Sequence, residues 1–385
     1  MVWVIVLSVV ALLLAIVALT LTVTIARHLG RRDPLAVPRF WRRTLRITPA
    51  VPGPAGGALT GDAERRAQVA FVVNPTKDGT AELRERAMRA CAIRYLPEPM
   101  WLHTTEADPG TGQARDAIEA GADVVVAVGG DGTVRAVAEA LAGEDVAMGI
   151  IPLGTGNLFA RNLDLPLTDT GALLRTVLEG AEARVDVGWL DVERAFPGHG
   201  DDGSHLFLVM AGAGIDAEMV AGADPVLKKR LGWLAYFFAA VEHLGDKRIK
   251  ATVAVDDGEG VETEMRTVLL ANAGKLPGGL QLIPDASVSD GELDIATLDA
   301  RGGLVGWTEL FGSVVAQGAG IKQTELLRTW RTSRIDHRRG RSVTIEMENP
   351  QRVQVDGESL GRAQRIHGRI QPGALLIRVP VGTHP

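Results

Sequence analysis

Residues 123–162 constrain the fold of this chain most strongly, because they repeat one short pattern twice. Residues 123–128 form a continuous apolar, β-branched run, which is typical of a strand buried on both faces. The run ends in a glycine-rich turn at residues 129–133, followed by apolar side chains at helical spacing. A second apolar run at residues 148–151 leads into a second glycine-rich turn at residues 154–157. The pattern predicts two strand–turn–helix units in one parallel sheet.

Both turns have the chemistry of a phosphate-binding site. The first N–H groups of a helix have no partner within the helix, and the helix dipole favours an anion beside them. Neither turn has the sequence of a Walker A loop or of a GxGxxG dinucleotide loop. Asp131 stands between two glycines, where it can hold Mg²⁺ or a ribose hydroxyl. We interpret this stretch as a nucleoside triphosphate site, and the alternative is an ordinary pair of turns that bind nothing.

Length and composition limit the remaining possibilities. The 385 residues are enough for two domains beyond any targeting segment. The net charge of -6 makes general nucleic-acid binding a poor expectation, so no nucleic-acid partner is predicted. Cys91 is the only cysteine, which rules out an intrachain disulfide framework and a metal site built from several cysteines.

The first residues predict a membrane anchor. Residues 2–25 contain no charged residue and no proline, and the run is long enough to cross a bilayer as a helix. A cleaved signal peptide is the alternative, but a basic start and a clear cleavage site are missing. Seven arginines follow the run by residue 46, so the positive-inside rule predicts a single-pass protein of the cell membrane with its bulk in the cytoplasm. The same arginines could lie on an anionic membrane surface or form a solvated linker.

The rest of the chain divides into a linker and two predicted domains. Residues 26–66 are first basic and then rich in proline and glycine, which predicts a flexible linker. Residues 67–183 alternate strand and helix patterns, which predicts a doubly wound parallel α/β domain that binds ATP. Asn74 and Thr105 follow its first two strands, so they should meet the two glycine turns at one crevice. Residues 184–367 predict an antiparallel β-sandwich domain, and the last strand, near residues 368–380, is a candidate to return to the first domain.

Three features of the second part carry specific expectations. Its strands are predicted at residues 185–192, 206–211, 249–255, 263–272, 293–298, 342–347, 352–355 and 368–379. An apolar helix at residues 231–241 should pack on the sandwich, with contact to lipid as the alternative. The basic run at residues 334–341, which includes His337, is interpreted as a solvated loop.

Two acidic turns are candidate sites. Asp356 and Glu358 flank a glycine, where a carboxylate could accept a proton from a hydroxyl or share a metal. The alternative is a simple hairpin turn, because Asp-Gly is common there. The second stretch, residues 287–294, could be an oxygen-rich loop for Ca²⁺ or Mg²⁺, and it is equally typical of a hairpin turn.

Taken in order, the early Asn-Pro, the GGDGT turn, the LGTGN turn and the late DGE resemble the diacylglycerol kinase catalytic-domain family. That family includes bacterial diacylglycerol kinases and sphingosine and ceramide kinases. The resemblance covers residues 67–380 and implies an α/β nucleotide domain followed by a β-sandwich, with the active site between them. Many bacterial members have an aspartate where this chain has Leu158, which points to a different lipid or a rearranged magnesium shell.

The resemblance implies roles for particular residues. The residues implied to bind ATP are Asn74, Pro75, Thr76, Lys77, Asp78, Thr105, Gly129, Gly130, Asp131, Gly132, Thr133, Val134, Gly154, Thr155 and Asn157. Asp131 would also organise Mg²⁺ in catalysis. Asp356 or Glu358 would take the proton of the lipid hydroxyl, and we favour Asp356. Ser287, Asp290 and Glu292 match a structural Mg²⁺ loop of bacterial members, with Glu292 expected to bind through its backbone.

The implied function is an ATP- and Mg²⁺-dependent lipid kinase that phosphorylates a membrane lipid, with diacylglycerol giving phosphatidic acid as the leading substrate. One alternative is a kinase of a soluble substrate, NAD above all, since NAD kinases share GGDGT. Another is an inactive nucleotide-binding relative of the same fold. The oligomeric state stays open, with a homodimer among the alternatives.

Overall fold

The computed structural model describes residues 66–193, 203–214, 248–275, 283, 286–300 and 333–383, which belong to one compact unit that begins at Glu64. The predicted membrane segment at residues 2–25, the linker before residue 66 and the predicted helix at residues 231–241 lie outside the described residues. Among the helices within those ranges, none is long and apolar enough to cross a bilayer.

Four strands form a parallel sheet. In chain order they are β1 (Val69–Val73), β2 (Met100–His103), β3 (Val124–Gly129) and β4 (Ala147–Pro152). They lie side by side in the order β4, β3, β1, β2. Every residue of β1, β3 and β4 is buried, which explains why their sequences are continuously apolar rather than alternating.

Five helices lie between or after these strands. They are α1 (Thr80–Ile93), α2 (Thr111–Glu119), α3 (Asp131–Leu141), α4 (Leu158–Asn162) and α5 (Thr170–Glu179). Helix α1 contacts α5, and α2 packs on α3. The α/β domain expected from the sequence is therefore confirmed, with the glycine turns at the carboxyl ends of β3 and β4.

The second part of the described chain is β-rich, as expected. Its strands are β5 (Ala181–Glu193), β6 (Gly203–Phe207), β7 (Met210–Ala213), β8 (Ile249–Val255), β9 (Val261–Met265), β10 (Thr267–Ala271), β11 (Leu293–Ala300), β12 (Ser333–Gly340), β13 (Ser342–Val355) and β14 (Glu358–Val379). They pair with one another in antiparallel fashion.

Strand β14 connects the two parts of the sheet. Its residues 358–369 pair with β13 and its residues 365–379 pair with β5, both antiparallel. Near its end, Ile377 aligns with Met148 of β4 in a parallel pairing. The parallel strands and the antiparallel strands are thus joined through hydrogen-bonded neighbours in one network.

Two hydrophobic cores correspond to the two parts. The first surrounds the parallel sheet and includes the fully buried Phe71, Met148 and Ile377. The second lies among the antiparallel strands and includes Phe207 and Ile345. Strand β14 supplies side chains to both cores, so it links the packing of the two parts.

Three predictions about the β-rich part were wrong in detail. Residues 263–272 do not form one strand, because β9 ends at Met265 and β10 begins at Thr267, and the two strands have different partners. Residues 206–211 do not form one strand, because the chain leaves β6 after Phe207 and begins β7 at Met210. The backbone N–H groups of Leu208 and Val209 bind a carboxylate there instead of a neighbouring strand. Residues 342–347 and 352–355 are conversely one strand, β13, with an irregular register between Glu346 and Gln351.

The predicted solvated loop at residues 334–341 is a strand. Most of this run belongs to β12, which pairs along its whole length with β11. The many charged residues made this run look like a loop in the sequence. In the structure most of their side chains are exposed to solvent, while the backbone pairs with β11. His337 faces Asp294 of β11, and their side chains lie 2.6 Å apart.

Candidate active site

The two glycine-rich turns contact each other directly. Helix α3 begins at Asp131, after Gly130 in an extended conformation. A Cβ atom on Gly154 would lie 2.8 Å from the Cα atom of Gly130, so no larger residue fits at position 154 without moving the backbone. The close approach brings the backbone of both turns to one place at the carboxyl edge of the sheet.

Asp131 holds the two turns together. Its Oδ2 accepts a hydrogen bond from the backbone N–H of Asn157 at 2.9 Å, and its Oδ1 accepts one from Leu158 at 2.6 Å. Burial raises the pKa of the Asp131 carboxyl above its usual value, and these two N–H groups act against that rise. The aspartate at the start of α3 therefore stabilises the start of α4.

Leu158 has a structural place of its own. Its side chain is buried in the core of the α/β domain, while its backbone N–H donates a hydrogen bond to Asp131. An aspartate at this position, as many family members have, would put a second carboxylate beside Asp131. In this chain the position contributes apolar packing instead.

The second glycine turn is stabilised by its own asparagine. Asn157 adopts a left-handed conformation with φ of 48°. Its side-chain Oδ1 accepts from the backbone N–H of Gly154 at 3.0 Å, and its Nδ2 donates to the Gly154 carbonyl at 2.8 Å. Asparagine tolerates this backbone region better than most residues, so its place in the turn has a local physical reason.

The turn after β1 completes this edge. The backbone N–H of Asn74 donates to the carbonyl of Val128 in β3 at 2.9 Å. The Asn74 side chain accepts from both the backbone N–H and the hydroxyl of Thr76, at 3.0 and 2.7 Å. The Asn-Pro motif therefore forms an Asx turn that lies beside the glycine turns.

These three turns surround a concave site of about 390 Å³. Its lining residues are Asn74, Lys77, Pro109, Gly130, Asp131, Gly132, Thr133, Gly154 and Thr155. All of them except Pro109 were predicted to bind ATP. The loop after β2 supplies Pro109, whose sequence shows no signal that would have distinguished it from any other loop proline.

Other predicted ATP residues lie around this site without lining it. Thr105 forms a local turn with Asp108, whose backbone N–H donates to its hydroxyl at 3.0 Å. Gly129 and Val134 are buried in the strand end and in the core. The remaining members are Pro75, Thr76, Asp78 and Asn157, which belong to the turns themselves.

The late acidic turn is built around Asp356. It lies between β13 and β14 with φ of 45°, and Gly357 follows with φ of 85°. The Asp356 carboxylate accepts backbone hydrogen bonds from Leu208 at 2.8 Å, Val209 at 2.9 Å and Met210 at 3.0 Å. This is why the chain interrupts its strands at residues 208–209.

The environment of Asp356 suits a proton acceptor. Burial raises its pKa to about 6, while the three N–H groups and the charge of Arg135 act in the opposite direction. A carboxyl with this pKa is largely ionised at neutral pH and is more basic than an ordinary aspartate. Of the two acids in the turn, the structure thus gives Asp356 the environment of a base.

Glu358 connects the acidic turn to the glycine-turn helix. Its carboxylate pairs with the guanidinium of Arg135 on α3, whose side chain is only 11% exposed, whereas Glu358 is 61% exposed. The two residues are 223 positions apart in the chain. No sequence motif distinguishes Arg135, although its position four residues after Asp131 places both on one helix face.

The loop predicted to bind a structural Mg²⁺ is already occupied by protein contacts. Asp290 pairs with Arg339, and Glu292 lies 3.2 Å from the same guanidinium. Asp186 accepts from the backbone N–H of Gly291 at 2.7 Å and so holds the loop against β5.

Ser287 lies 3.4 Å from the Ser289 hydroxyl, and within the described residues no group of three His, Cys, Asp or Glu side chains could hold a metal. The Mg²⁺ loop stays a sequence prediction, and in this structure its two carboxylates pair with Arg339.

A larger depression of about 960 Å³ lies among the antiparallel strands. It contains five glutamates, one lysine and one arginine, and it shares no residue with the predicted site. Its excess of negative charge would repel nucleotide phosphates. We therefore locate the candidate site at the smaller depression between the glycine turns.

Two protein families match the chain. Residues 68–190 match the diacylglycerol kinase catalytic domain, and residues 209–379 match the YegS C-terminal NAD kinase beta sandwich-like domain. The first match contains the three turns that line the site, and the second contains Asp356 and Glu358.

Curated relatives extend over most of both regions. A Pseudomonas putida protein named "Probable lipid kinase YegS-like" is 30% identical over 285 residues, which cover 73% of this chain and 85% of that protein. A protein of the same name from Pseudomonas syringae pv. tomato is 32% identical over 289 residues, with coverage of 73% and 83%. An uncharacterized protein of Synechocystis sp. is 31% identical over 265 residues, and the chain spans 56% of its length.

Solved structures show the same fold. A diacylglycerol kinase from Bacillus anthracis superimposes with a TM-score of 0.61 at 22% sequence identity, covering 81% of this chain and 96% of the other. At this identity the likeness concerns the fold alone. The curated relatives and the two matched domains show that this chain belongs to the diacylglycerol kinase catalytic-domain family, a family of kinases.

Proposed function

We propose that this chain is a membrane-anchored lipid kinase that transfers the γ-phosphate of Mg-ATP to the hydroxyl of a membrane lipid. Diacylglycerol, which would give phosphatidic acid, is the first substrate to test. The observation that carries the proposal is the contact between the acidic turn and the glycine-turn helix, through Glu358 and Arg135. It links the turn that carries the potential base to the helix that begins at the potential phosphate site, which supports a transfer reaction between them.

The concave site suits a triphosphate. Gly130 and Gly154 keep the backbone of the two turns free of side chains, and helix α3 presents its N-terminal end there. Lys77 also lines the site and adds positive charge. ATP use is further supported by membership of a kinase family.

Mg²⁺ fits this site as a companion of ATP. It is usually held by one or two carboxylates together with substrate phosphates and water. Asp131 is the acidic side chain of the lining, so it would hold the ion along with the phosphates. When bound, Mg²⁺ neutralises the charge that develops on the phosphate oxygens.

Asp356 would act as the general base. In the transfer, the lipid hydroxyl oxygen forms a bond to the γ-phosphorus, and the bond to the β–γ bridging oxygen breaks. The hydroxyl proton passes to Asp356, and ADP leaves. A carboxylate with its pKa raised to about 6 can accept this proton at neutral pH.

The predicted anchor gives the reaction access to its substrate. A lipid such as diacylglycerol is found only in a membrane, and the uncharged residues 2–25 would keep the kinase beside it. The arginines between residues 27 and 46 would lie on anionic headgroups at the cytoplasmic face. Membrane fractionation of the full chain and of a variant lacking residues 2–25 tests this part, and recovery of both in the soluble fraction would contradict it.

The central experiment is a transfer assay with the full chain in detergent micelles, labelled ATP, Mg²⁺ and a panel of neutral lipids. Asp356→Asn should abolish transfer and leave nucleotide binding in place. Asp256→Asn is the matched control, because Asp256 also has a positive φ and its carboxylate also accepts backbone bonds, from Arg341 and Ser342. Its hairpin lies outside the proposed site, so this variant should keep its activity.

The outcome separates the alternatives. Transfer to another lipid hydroxyl would keep the mechanism and change the substrate. Phosphorylation of NAD but of no lipid would replace the lipid kinase by a kinase of a soluble substrate. ATP binding without transfer to any acceptor would indicate a nucleotide-binding relative without kinase activity.

A further inference from the structure

We infer that Arg135 contacts the γ-phosphate of ATP and stabilises it during transfer. The inference rests on the proposed function, since only a bound triphosphate offers this group. No sequence motif selected Arg135, and the structure places it between the glycine turns and the acidic turn.

The position of Arg135 on α3 directs its side chain toward the phosphate end of the helix. It lies four residues after Asp131, which is one helical turn or about 6 Å along the axis. Side chains of a helix lean toward its N-terminus, so Arg135 reaches back toward the turn that begins the helix. Asp131, on the same face, lines the concave site.

Burial and charge bring the Arg135 guanidinium close to the acidic turn. The Arg135 side chain is 11% exposed, and its ion-pair partner Glu358 belongs to the turn that carries Asp356. Its positive charge also lowers the pKa of the Asp356 carboxyl, so it lies within electrostatic reach of the proposed base. A single cation is therefore close to the acid that receives the proton and to the helix end suited to the phosphates.

The guanidinium has donors to spare for a phosphate. The pair with Glu358 uses Nη2, and a guanidinium carries five N–H donors in a planar fork. As the acceptor oxygen bonds to the γ-phosphorus and the bridging bond breaks, charge is spread over the three equatorial oxygens. Arg135 would donate hydrogen bonds to those oxygens, and Glu358 would position it for this contact.

The first test measures nucleotide binding and needs no lipid. The full chain, Arg135→Gln and Arg135→Lys are titrated with ADP and with the ATP analogue AMP-PNP, each with Mg²⁺, in a calorimeter. Arg135→Gln loses a charged contact to the γ-phosphate, so its affinity for AMP-PNP should fall about tenfold or more. Its affinity for ADP, which has no γ-phosphate, should change less than about twofold. The inference would be overturned if the affinity for both nucleotides fell equally, or if neither affinity fell.

The second test measures transfer. Arg135→Ala should lower kcat by about 10²–10³-fold with a much smaller change in KM for ATP, as expected when a positioned charge on the transferred group is removed. Added guanidinium ion should restore part of the activity of Arg135→Ala and none of that of Asp356→Asn. Arg115→Gln, at an exposed arginine of α2, is the control and should match the unaltered chain.

A purely structural role gives a different result. If Arg135 only anchors Glu358, then Arg135→Gln, Glu358→Gln and the double variant should lose the same amount of activity, and guanidinium should restore none of it. That result would overturn the inference. Thermal unfolding of each variant identifies any loss that comes from a damaged fold.

Failure of the proposed function is distinguishable from failure of the inference. If the unaltered chain binds neither nucleotide, both are overturned. If it binds nucleotide but phosphorylates no lipid, the lipid kinase proposal fails and the comparison of ADP with AMP-PNP still decides the role of Arg135.

Discussion

Asp356 shows how one residue obtains its chemistry from distant parts of the chain. By itself, an aspartate before a glycine is an ordinary turn residue. Here its carboxylate is surrounded by three N–H groups of residues 208–210, and burial raises its pKa to about 6. The opposing effects leave the group ionised at neutral pH but ready to accept a proton.

This environment predicts the pH dependence of transfer. A base must be ionised to work, so kcat/KM should rise through pH 6 to a plateau and fall about tenfold per unit at lower pH. Because the pKa of Asp356 is raised in the folded protein, kcat/KM should fall at a higher pH than the range in which an unperturbed aspartate titrates. Rates measured between pH 5 and pH 8 with a neutral lipid check this.

Circular dichroism at each pH should confirm that the fold persists, so that the fall reports titration and not unfolding. Asp256→Asn should show the same profile as the unaltered chain. A profile that stays flat down to pH 5 would exclude Asp356 as the base.

At the scale of elements, the site depends on two helix starts held in register. Helices α3 and α4 each begin at a glycine-rich turn, and Asp131 of the first accepts N–H bonds from the start of the second. Neither turn needs a lysine for its own shape. The shape of the proposed phosphate site therefore depends on how the two turns are joined.

Asp131→Asn should disrupt this junction. An amide offers only one acceptor oxygen for the two N–H groups of Asn157 and Leu158, so one of them loses its partner. We expect the free energy of unfolding to fall by about 1–3 kcal/mol and nucleotide affinity to fall by about tenfold or more. Denaturant unfolding and calorimetry measure the two effects.

Asp169→Asn is the matched control. Asp169 also accepts a backbone N–H at a helix start, from Ala172 at 2.9 Å, and asparagine is an equally good residue at that position. This variant should keep both stability and nucleotide affinity. If Asp131→Asn behaved in the same way, the junction would not depend on the Asp131 carboxylate.

At the scale of the whole molecule, β14 unites the parallel and the antiparallel strands. Its residues Leu375, Ile377 and Val379 are fully buried in the core of the α/β domain, although they lie at the far end of the sequence from its other strands. The strand begins at Glu358, beside the acidic turn. The position of that turn relative to the nucleotide site is therefore linked to the packing of β14.

Truncation tests this role. A chain that ends at residue 371 loses the pairing of β14 with β4 and part of its pairing with β5, so we expect insoluble or unfolded protein. A chain that ends at residue 379 keeps all of β14 and should fold like the full chain. Soluble yield and cooperative thermal unfolding are the measurements. A soluble, cooperatively folded chain ending at residue 371 would show that β14 is dispensable.

Local sequence patterns determined a large part of this protein. The continuous apolar runs predicted β3 and β4, because a strand buried on both faces needs apolar side chains on both. The glycine turns indicated a phosphate site, because free helix N–H groups and missing side chains are local features. The order of four motifs was enough to identify the family.

The tertiary structure decided what depends on residues far apart in the chain. No local pattern relates Arg135 to Glu358, interrupts the strands at Leu208 for the sake of Asp356, or places Arg339 among the acids of a predicted metal loop. The periodicity of apolar side chains shows which face of a helix or strand is buried. It does not show which charged residue from a distant part of the chain contacts that element. The two glycine-rich turns follow from the sequence alone, whereas the contact between the first turn's helix and the acidic turn exists only in the folded chain.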